Sequence, residues 1–246
     1  MRVSLFITCV VDQLYPRVGE AAVELLTRLG VEVTFNPEQT CCGQPAYNTG
    51  YRREARAVAA RTLDLLDREL RTSDYVVAPS GSCAAMVKKC YAELFARELE
   101  ERERARRVAG RFYELSQFLV DVLGVEDVGA VFEGRVTYHD SCHLLRELGV
   151  SGAPRKLIRA VGGADFVEMS APEACCGFGG TFSVKHPELS AAMAADKAAD
   201  IERSGAEVVV ACDASCMMQT AGVLSRRGSA VRCLHLAELL VSRGGQ

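Results

Sequence analysis

The chain has 246 residues, 49% of them hydrophobic, and its 29 Lys and Arg against 32 Asp and Glu leave a net charge of −3. This excludes bulk disorder, and it argues against a nucleic-acid partner, which needs clustered positive charge. No apolar run reaches the roughly 18 residues of a membrane span, and the stretch 3–11 is too short for a secretory signal, so a cytoplasmic protein of one large domain or two of about 120 residues is expected.

The hydrophobic pattern predicts a strand over 2–8 and a helix over 17–29 that ends at Gly30. A second strand follows over 31–35, then a loop holding Cys41-Cys42-Gly43, an amphipathic helix over 51–71, and a strand over 74–78 that leads into Cys83 and a further helix. The charged stretch Glu98–Arg107 reads as an exposed helical extension, supported by opposite charges at i,i+4. After the glycines of 124–134 come a strand over 135–139, a helix over 154–161, a strand over 164–168, and a loop with Cys175-Cys176-Gly177. A helix over 187–204 that opens on Pro187, a strand over 207–211, a helix over 215–226, a strand over 230–234 and a last helix complete the chain. Strands alternating with helices imply parallel sheets covered on both faces.

The order is written twice. Cys41-Cys42-Gly43 recurs as Cys175-Cys176-Gly177 at an offset of 134, while Cys9 and Cys142, and Cys83 and Cys216, recur at 133. Tyr113–Val120 matches Leu234–Val241 at 121, so the first half carries about 12 additional residues, which Glu98–Arg107 accommodates. The expected fold is therefore α/β, with two similar lobes, 1–128 and 129–246, each a parallel sheet with flanking helices, related by a pseudo-twofold.

Eleven cysteines are an odd number, and disulfides are rare in a reducing compartment, so metal, cluster or redox chemistry competes with plain burial of small apolar side chains. Spacing separates the two readings for eight of them. Ligands of open α/β sheets bind beyond the carboxyl ends of the strands, and each half brings four thiols to such a rim: Cys9, Cys41, Cys42 and Cys83, then Cys142, Cys175, Cys176 and Cys216. Four thiolates suit zinc or an iron–sulfur cluster. Side chains of consecutive extended residues point apart, which disfavours placing a vicinal pair on one tetrahedral ion and favours a cluster with separated iron corners. The glycine after each pair permits φ > 0 and brings N–H groups toward the sulfurs. Zinc in one or both sites, and a vicinal disulfide, stay open.

The repeated order of Cys, Cys-Cys-Gly and Cys, with the strings APSGSC (Ala78–Cys83), YHDSCH (Tyr138–His143) and CCGFGGTFSVK (Cys175–Lys185), resembles the CCG cysteine-rich domain proteins over essentially the whole chain. That group includes the B subunit of heterodisulfide reductase and the iron–sulfur subunits of glycolate oxidase and anaerobic glycerol-3-phosphate dehydrogenase; the lactate-utilisation protein A family is the most similar. The resemblance implies 4Fe–4S clusters, one per repeat, in a non-autonomous electron-transfer subunit of an oxidoreductase that converts L-lactate to pyruvate. Heterodisulfide reductase B subunits use a fifth cysteine per repeat. Cys212 is the additional candidate in the second half, but Pro79 stands at its counterpart in the first, which weakens a heterodisulfide or thiol–disulfide reductase reading. The C-x2-C-x2-C-x3-C-P runs of a ferredoxin module do not occur in this sequence, so the resemblance places that module on a partner subunit. A zinc-stabilised interaction module is the non-redox alternative.

Other residues have plainer expected roles. His139, Asp140 and His143 around Cys142 are read as packing and helix-start residues, with a hydrogen bond to a cluster sulfur as the minority role. Arg146 is read as a surface residue, and Cys90 and Cys233 as buried thiols. Gly177-Phe178-Gly179-Gly180 fails the G-x-G-x-x-G dinucleotide pattern because Phe182 takes the last position.

Overall fold

The run Arg2–Leu5 (β1) is buried from its second residue onward because it has a neighbour on either side. In the computed structural model, which describes residues 1–244, β1 pairs in parallel with β2 (Glu32–Thr34) and β3 (Tyr75–Ala78), and β3 pairs with β4 (Phe112–Glu114). The second sheet repeats this with β5 (Val131–His139) between β6 (Gly162–Phe166) and β7 (Val208–Ala211), and β8 (Arg232–His235) beyond β7. The strand orders are β2-β1-β3-β4 and β6-β5-β7-β8. The repeat holds at the level of register. Arg2 faces Glu32 as Arg135 faces Asp165, Val3 faces Tyr75 as Val136 faces Val208, and Val76 faces Phe112 as Val209 faces Cys233. Even the edge ion pairs recur, Arg2–Glu32 at 2.7 Å and Arg135–Asp165 at 2.8 Å.

Two features differ from the sequence reading. The first half has a fourth strand, β4, whose three residues are too few to show a period against the charged run before them. That charged run is no extension of its predecessor. It forms a separate helix, Leu99–Gly110, that buries Ala105 and Val108 and lies against the helix Arg52–Glu69. Arg104 lies 3.6 Å from Asp67 of that neighbour and is only 18% exposed, so the charges pair between helices as well as along one.

The largest hydrophobic core belongs to neither half. It joins Val3, Leu25, Leu26 and Phe118 to Tyr138, Leu157, Ile158, Leu236 and Leu240. The contacts across it come in reciprocal pairs, as a twofold requires of its interface. The helix Pro16–Arg28 packs on Leu236–Val241, and its counterpart Gly152–Arg159 packs near the counterpart start at Leu115–Gln117. Likewise, Gly81–Ala85 meets the π-helical turn His143–Glu147, while Cys9–Leu14 meets Ala214–Arg226.

The approach at Gly81 admits no larger side chain: a Cβ there would lie 2.6 Å from Cβ of Leu144. The pseudo-symmetric position clusters Ala214 with Val11, so one contact uses a small and a large residue and the other two of middling size. Overpacking of this kind costs about 1–3 kcal/mol. Gly81→Ala should lose about that much stability in chemical denaturation. Adding Leu144→Val should recover little of it, because valine keeps the Cβ and Cα that crowd this position. Equal stability of Gly81→Ala and the parent chain would mean that the lobes meet more loosely than described.

Candidate metal centre

The carboxyl ends of both sheets open into one cleft between the lobes, and all eight of the paired cysteines line it. Four of them stand at helix starts that follow a strand. Cys9 opens Cys9–Leu14, Cys142 immediately precedes His143–Glu147, and Cys83 and Cys216 sit in the first turns of Gly81–Ala85 and Ala214–Arg226. The oriented N–H groups of a first helical turn favour the thiolate form, as at the 13-residue Ala214–Arg226. The other four come from the two CCG loops. Gly43 and Gly177 have φ of 87° and 84°. A Cβ at Gly177 would lie 2.6 Å from the Ser190 carbonyl oxygen, so glycine is required there by space as well as by φ. Each of these glycines donates its N–H to the first cysteine of its own pair at 3.4 Å, Cys41 and Cys175.

In the first group, Sγ of Cys9 lies 3.8 Å from Sγ of Cys41, and Sγ of Cys42 lies 3.3 Å from Sγ of Cys83. Crowded thiols cannot share one acidity. Cys41 accepts from the thiols of Cys42 and Cys9 and from the Gly43 N–H, which holds it far below the ordinary thiol range. Cys175 is held down in the same way by Cys142, Cys176 and the Gly177 N–H. The donors are pushed up: Cys9 and Cys142 by the neighbouring thiolate and by burial, Cys42 and Cys176 by hydrogen bonds to the sulfurs on both sides and by burial. Cys216 is drawn down to about 6 by Cys176, with the nearby imidazole of His139 adding to the effect. Full ionisation of either group needs a cation at its centre. The vicinal cysteines do not point apart as an extended chain would place them. The loop before each left-handed glycine turns both thiols toward the same point.

The remaining expectations sort cleanly. Cys212 lies outside the cleft, fully buried in the interlobe core, where its Sγ accepts from the Tyr138 hydroxyl at 3.5 Å. Cys90 and Cys233 also lie away from it, Cys90 beside the core of the first lobe and Cys233 on β8 with its thiol pushed up to about 12 by burial. Asp140 is held by Arg155 in a two-pronged pair at 2.9 and 2.7 Å and does not line the cleft. Arg146 reaches the Glu173 carbonyl on the surface. His143 does line the cleft, with Nδ1 3.5 Å from Sγ of Cys142. His139, expected to pack, is buried against Cys176 and Cys216 at the end of β5, whose last four residues are all buried.

A duplicated α/β protein with two thiol quartets in one interlobe cleft is the class these observations define. Its comparisons agree: the family model described as "Cysteine-rich domain" (CCG) matches at residues 3–88 and again at 136–220. The chain is 48% identical over 240 residues to a "Lactate utilization protein A" of Oceanobacillus iheyensis, covering 98% of this chain and 96% of that one. It is 46% identical over 243 residues to the protein of that name from Bacillus subtilis, covering 99% and 100%. The chain belongs to the CCG cysteine-rich domain family, within the lactate utilization protein A group. Among solved structures, a hypothetical protein from Helicobacter pylori shares the fold with a TM-score of 0.65 at 9% identity; the match covers 99% of this chain and 49% of that one.

The split acidities give a direct test on metal-free, reduced protein. Iodoacetamide reacts with thiolates, and of the half-exposed thiols only Cys41 and Cys175 are held in that form. Mass spectrometry after brief labelling at pH 6 should find these two modified and Cys9 and Cys142 spared. Equal labelling of all four would contradict the described hydrogen bonding.

Proposed function

We propose that the chain is a cytoplasmic iron–sulfur electron-transfer subunit of a multi-component oxidoreductase that oxidises L-lactate to pyruvate. In this reading its two CCG repeats, 1–128 and 129–246, each hold one 4Fe–4S cluster. The observation that carries the reading is the convergence of two thiol quartets on one cleft. Cys9, Cys41, Cys42 and Cys83 would hold one cluster, and Cys142, Cys175, Cys176 and Cys216 the other. A bound cluster would accept and release single electrons. Lactate oxidation yields two electrons and two protons, which two one-electron centres match, and the relatives' name supplies the substrate.

The chain's own residues do the rest. The Gly43 and Gly177 N–H groups stabilise negative sulfur, and the half-exposed positions of Cys9, Cys41, Cys142 and Cys175 keep the centres near a surface that a redox partner can approach. The cleft lining includes no Lys or Arg among the described residues, so no cation is placed to clamp a lactate carboxylate. This supports a reading in which substrate chemistry belongs to a partner subunit with its own ferredoxin module.

A second reading has one observation in its favour. Sulfur separations of 3.3 and 3.8 Å approach the edge of a tetrahedron of thiolates about 2.3 Å from a single zinc ion. Against it, structural zinc sites supply folding energy to domains that lack a core, whereas this chain has an extensive core shared between the lobes and a second one in the first lobe.

Anaerobically purified protein should be brown and contain iron and acid-labile sulfide. Cys42→Ser and Cys176→Ser should each lose about half of the iron, and Cys90→Ser and Cys233→Ser none. A colourless, zinc-replete protein would decide for the second reading. The substrate is tested separately, in a strain with no other lactate dehydrogenase. Deletion of the gene should abolish growth on L-lactate and spare growth on pyruvate, and undiminished growth on lactate would remove lactate from the proposal.

A further inference from the structure

His139 is the last residue of β5 and is only 2% exposed, yet neither Nδ1 nor Nε2 has a hydrogen-bond partner. An unpartnered buried polar group costs about 1–3 kcal/mol, so such groups are rare in native interiors. A ring nitrogen of His139 and the Sγ atoms of Cys176 and Cys216 all lie within 4.8 Å of one another. One of the orphaned nitrogens therefore faces the second thiol quartet.

The repeat supplies an internal control. At the offset of 133 that relates Cys9 to Cys142, the counterpart of His139 is Phe6. Phe6 is buried in the first lobe and packs edge-on against Phe112, with ring centroids 5.8 Å apart. The first quartet thus has an apolar ring where the second has an imidazole. The neighbouring hydroxyls do not create this difference, because Ser141 before Cys142 has Thr8 before Cys9 as its counterpart.

We infer that His139 donates a hydrogen bond to the sulfur shell of the cluster held by Cys142, Cys175, Cys176 and Cys216, and thereby makes that centre the higher-potential one of the two. This rests on the iron–sulfur reading above. An imidazole carries at least one N–H in every protonation state. A donor to thiolate or sulfide stabilises the added negative charge of the reduced state and raises the potential. Electrons then run from the first lobe to the second. The first centre is oxidised by one electron and the second reduced by one, with no bond made or broken and the His139 proton in place.

The experiment is a potentiometric titration, followed by electron paramagnetic resonance, of anaerobically prepared full-length chain carrying His139, His139→Phe or His139→Gln. The parent should show two waves. His139→Phe, which copies Phe6, should move the upper wave down toward the lower one while iron and sulfide content stays at the parent level. His139→Gln keeps a side-chain N–H and should recover most of the shift. In a Cys42→Ser background, which keeps only the second centre, the single remaining wave should be the upper one. An unmoved upper wave, or movement of the lower wave alone, would overturn the assignment in an iron-loaded protein. Loss of the second lobe's iron in His139→Phe and His139→Gln would make His139 a ligand rather than a donor, and would overturn it as well. A parent chain without iron and sulfide would sink the iron–sulfur reading and this inference together, and metal analysis tells that case from the others.

Discussion

The contact at the pseudo-twofold axis sets the geometry of everything above it. The Gly81 N–H reaches the Cys212 carbonyl at 3.2 Å, the Ser82 N–H reaches Oδ2 of Asp213 at 2.7 Å, and Leu144 fills the space that a side chain at Gly81 would need. Gly81 and Ser82 follow β3 and immediately precede Cys83, Cys212 and Asp213 follow β7 four and three residues before Cys216, and Leu144 follows Cys142. A shift of one lobe along the other would separate the two quartets. Because the strand ends are locked together, both quartets open into the same cleft, and a thiol-lined rim that would be ordinary in one α/β lobe becomes a pair of facing sites.

The axis region also carries buried polar groups. Glu114 and His235 are counterparts, both completely buried, and both cap the helix that follows the last strand of a lobe. Burial pushes the Glu114 carboxyl up to about 7 and the His235 imidazole down to about 4. Both shifts favour the uncharged form, which is how one interior tolerates an acid and a base at equivalent positions. Near them Tyr138 and Cys212 satisfy each other. The interlobe core is therefore apolar with a thread of neutral hydrogen bonds beneath the cysteines.

Much of this was legible in the sequence because duplication provides a second copy to read against. Offsets of 133 and 134 identified the eight cysteines of the cleft, and the two-lobe parallel architecture followed from the same alternation of strands and helices. What was hidden depends on tertiary placement. β4 is three residues long, and only its pairing with β3 makes it a strand. The run 98–107 looks solvated in one dimension, but Asp64 and Asp67 lie forty and thirty-seven positions before Arg104, and only the turn of the chain between them brings those charges together. The vicinal cysteines show a related limit: alternation describes a strand, and it is a loop ahead of Gly43 and Gly177 that brings both thiols of each pair to the cleft.

The same alignment that reveals the repeat shows where it has been broken, and three of the breaks sit near the strand ends that lead to the thiols. Phe6, Pro79 and Ser80 of the first lobe correspond to His139, Cys212 and Asp213 of the second. All three lie at or just beyond the carboxyl ends of central strands; His139 and Asp213 stand beside the second quartet, whereas Cys212 is buried in the interlobe core outside the cleft. Strand register, edge ion pairs and the CCG turns are shared, so these exchanges are not needed to build the fold. Two sites that share a scaffold but differ in the polarity of their walls hold the same charge at different cost, since a buried negative centre is stabilised by nearby dipoles and penalised by apolar walls. In the iron–sulfur reading proposed above, identical lobes would give electrons no preferred side of the cleft, and the exchange of Phe6 for His139 would supply the inequality that a directional relay requires.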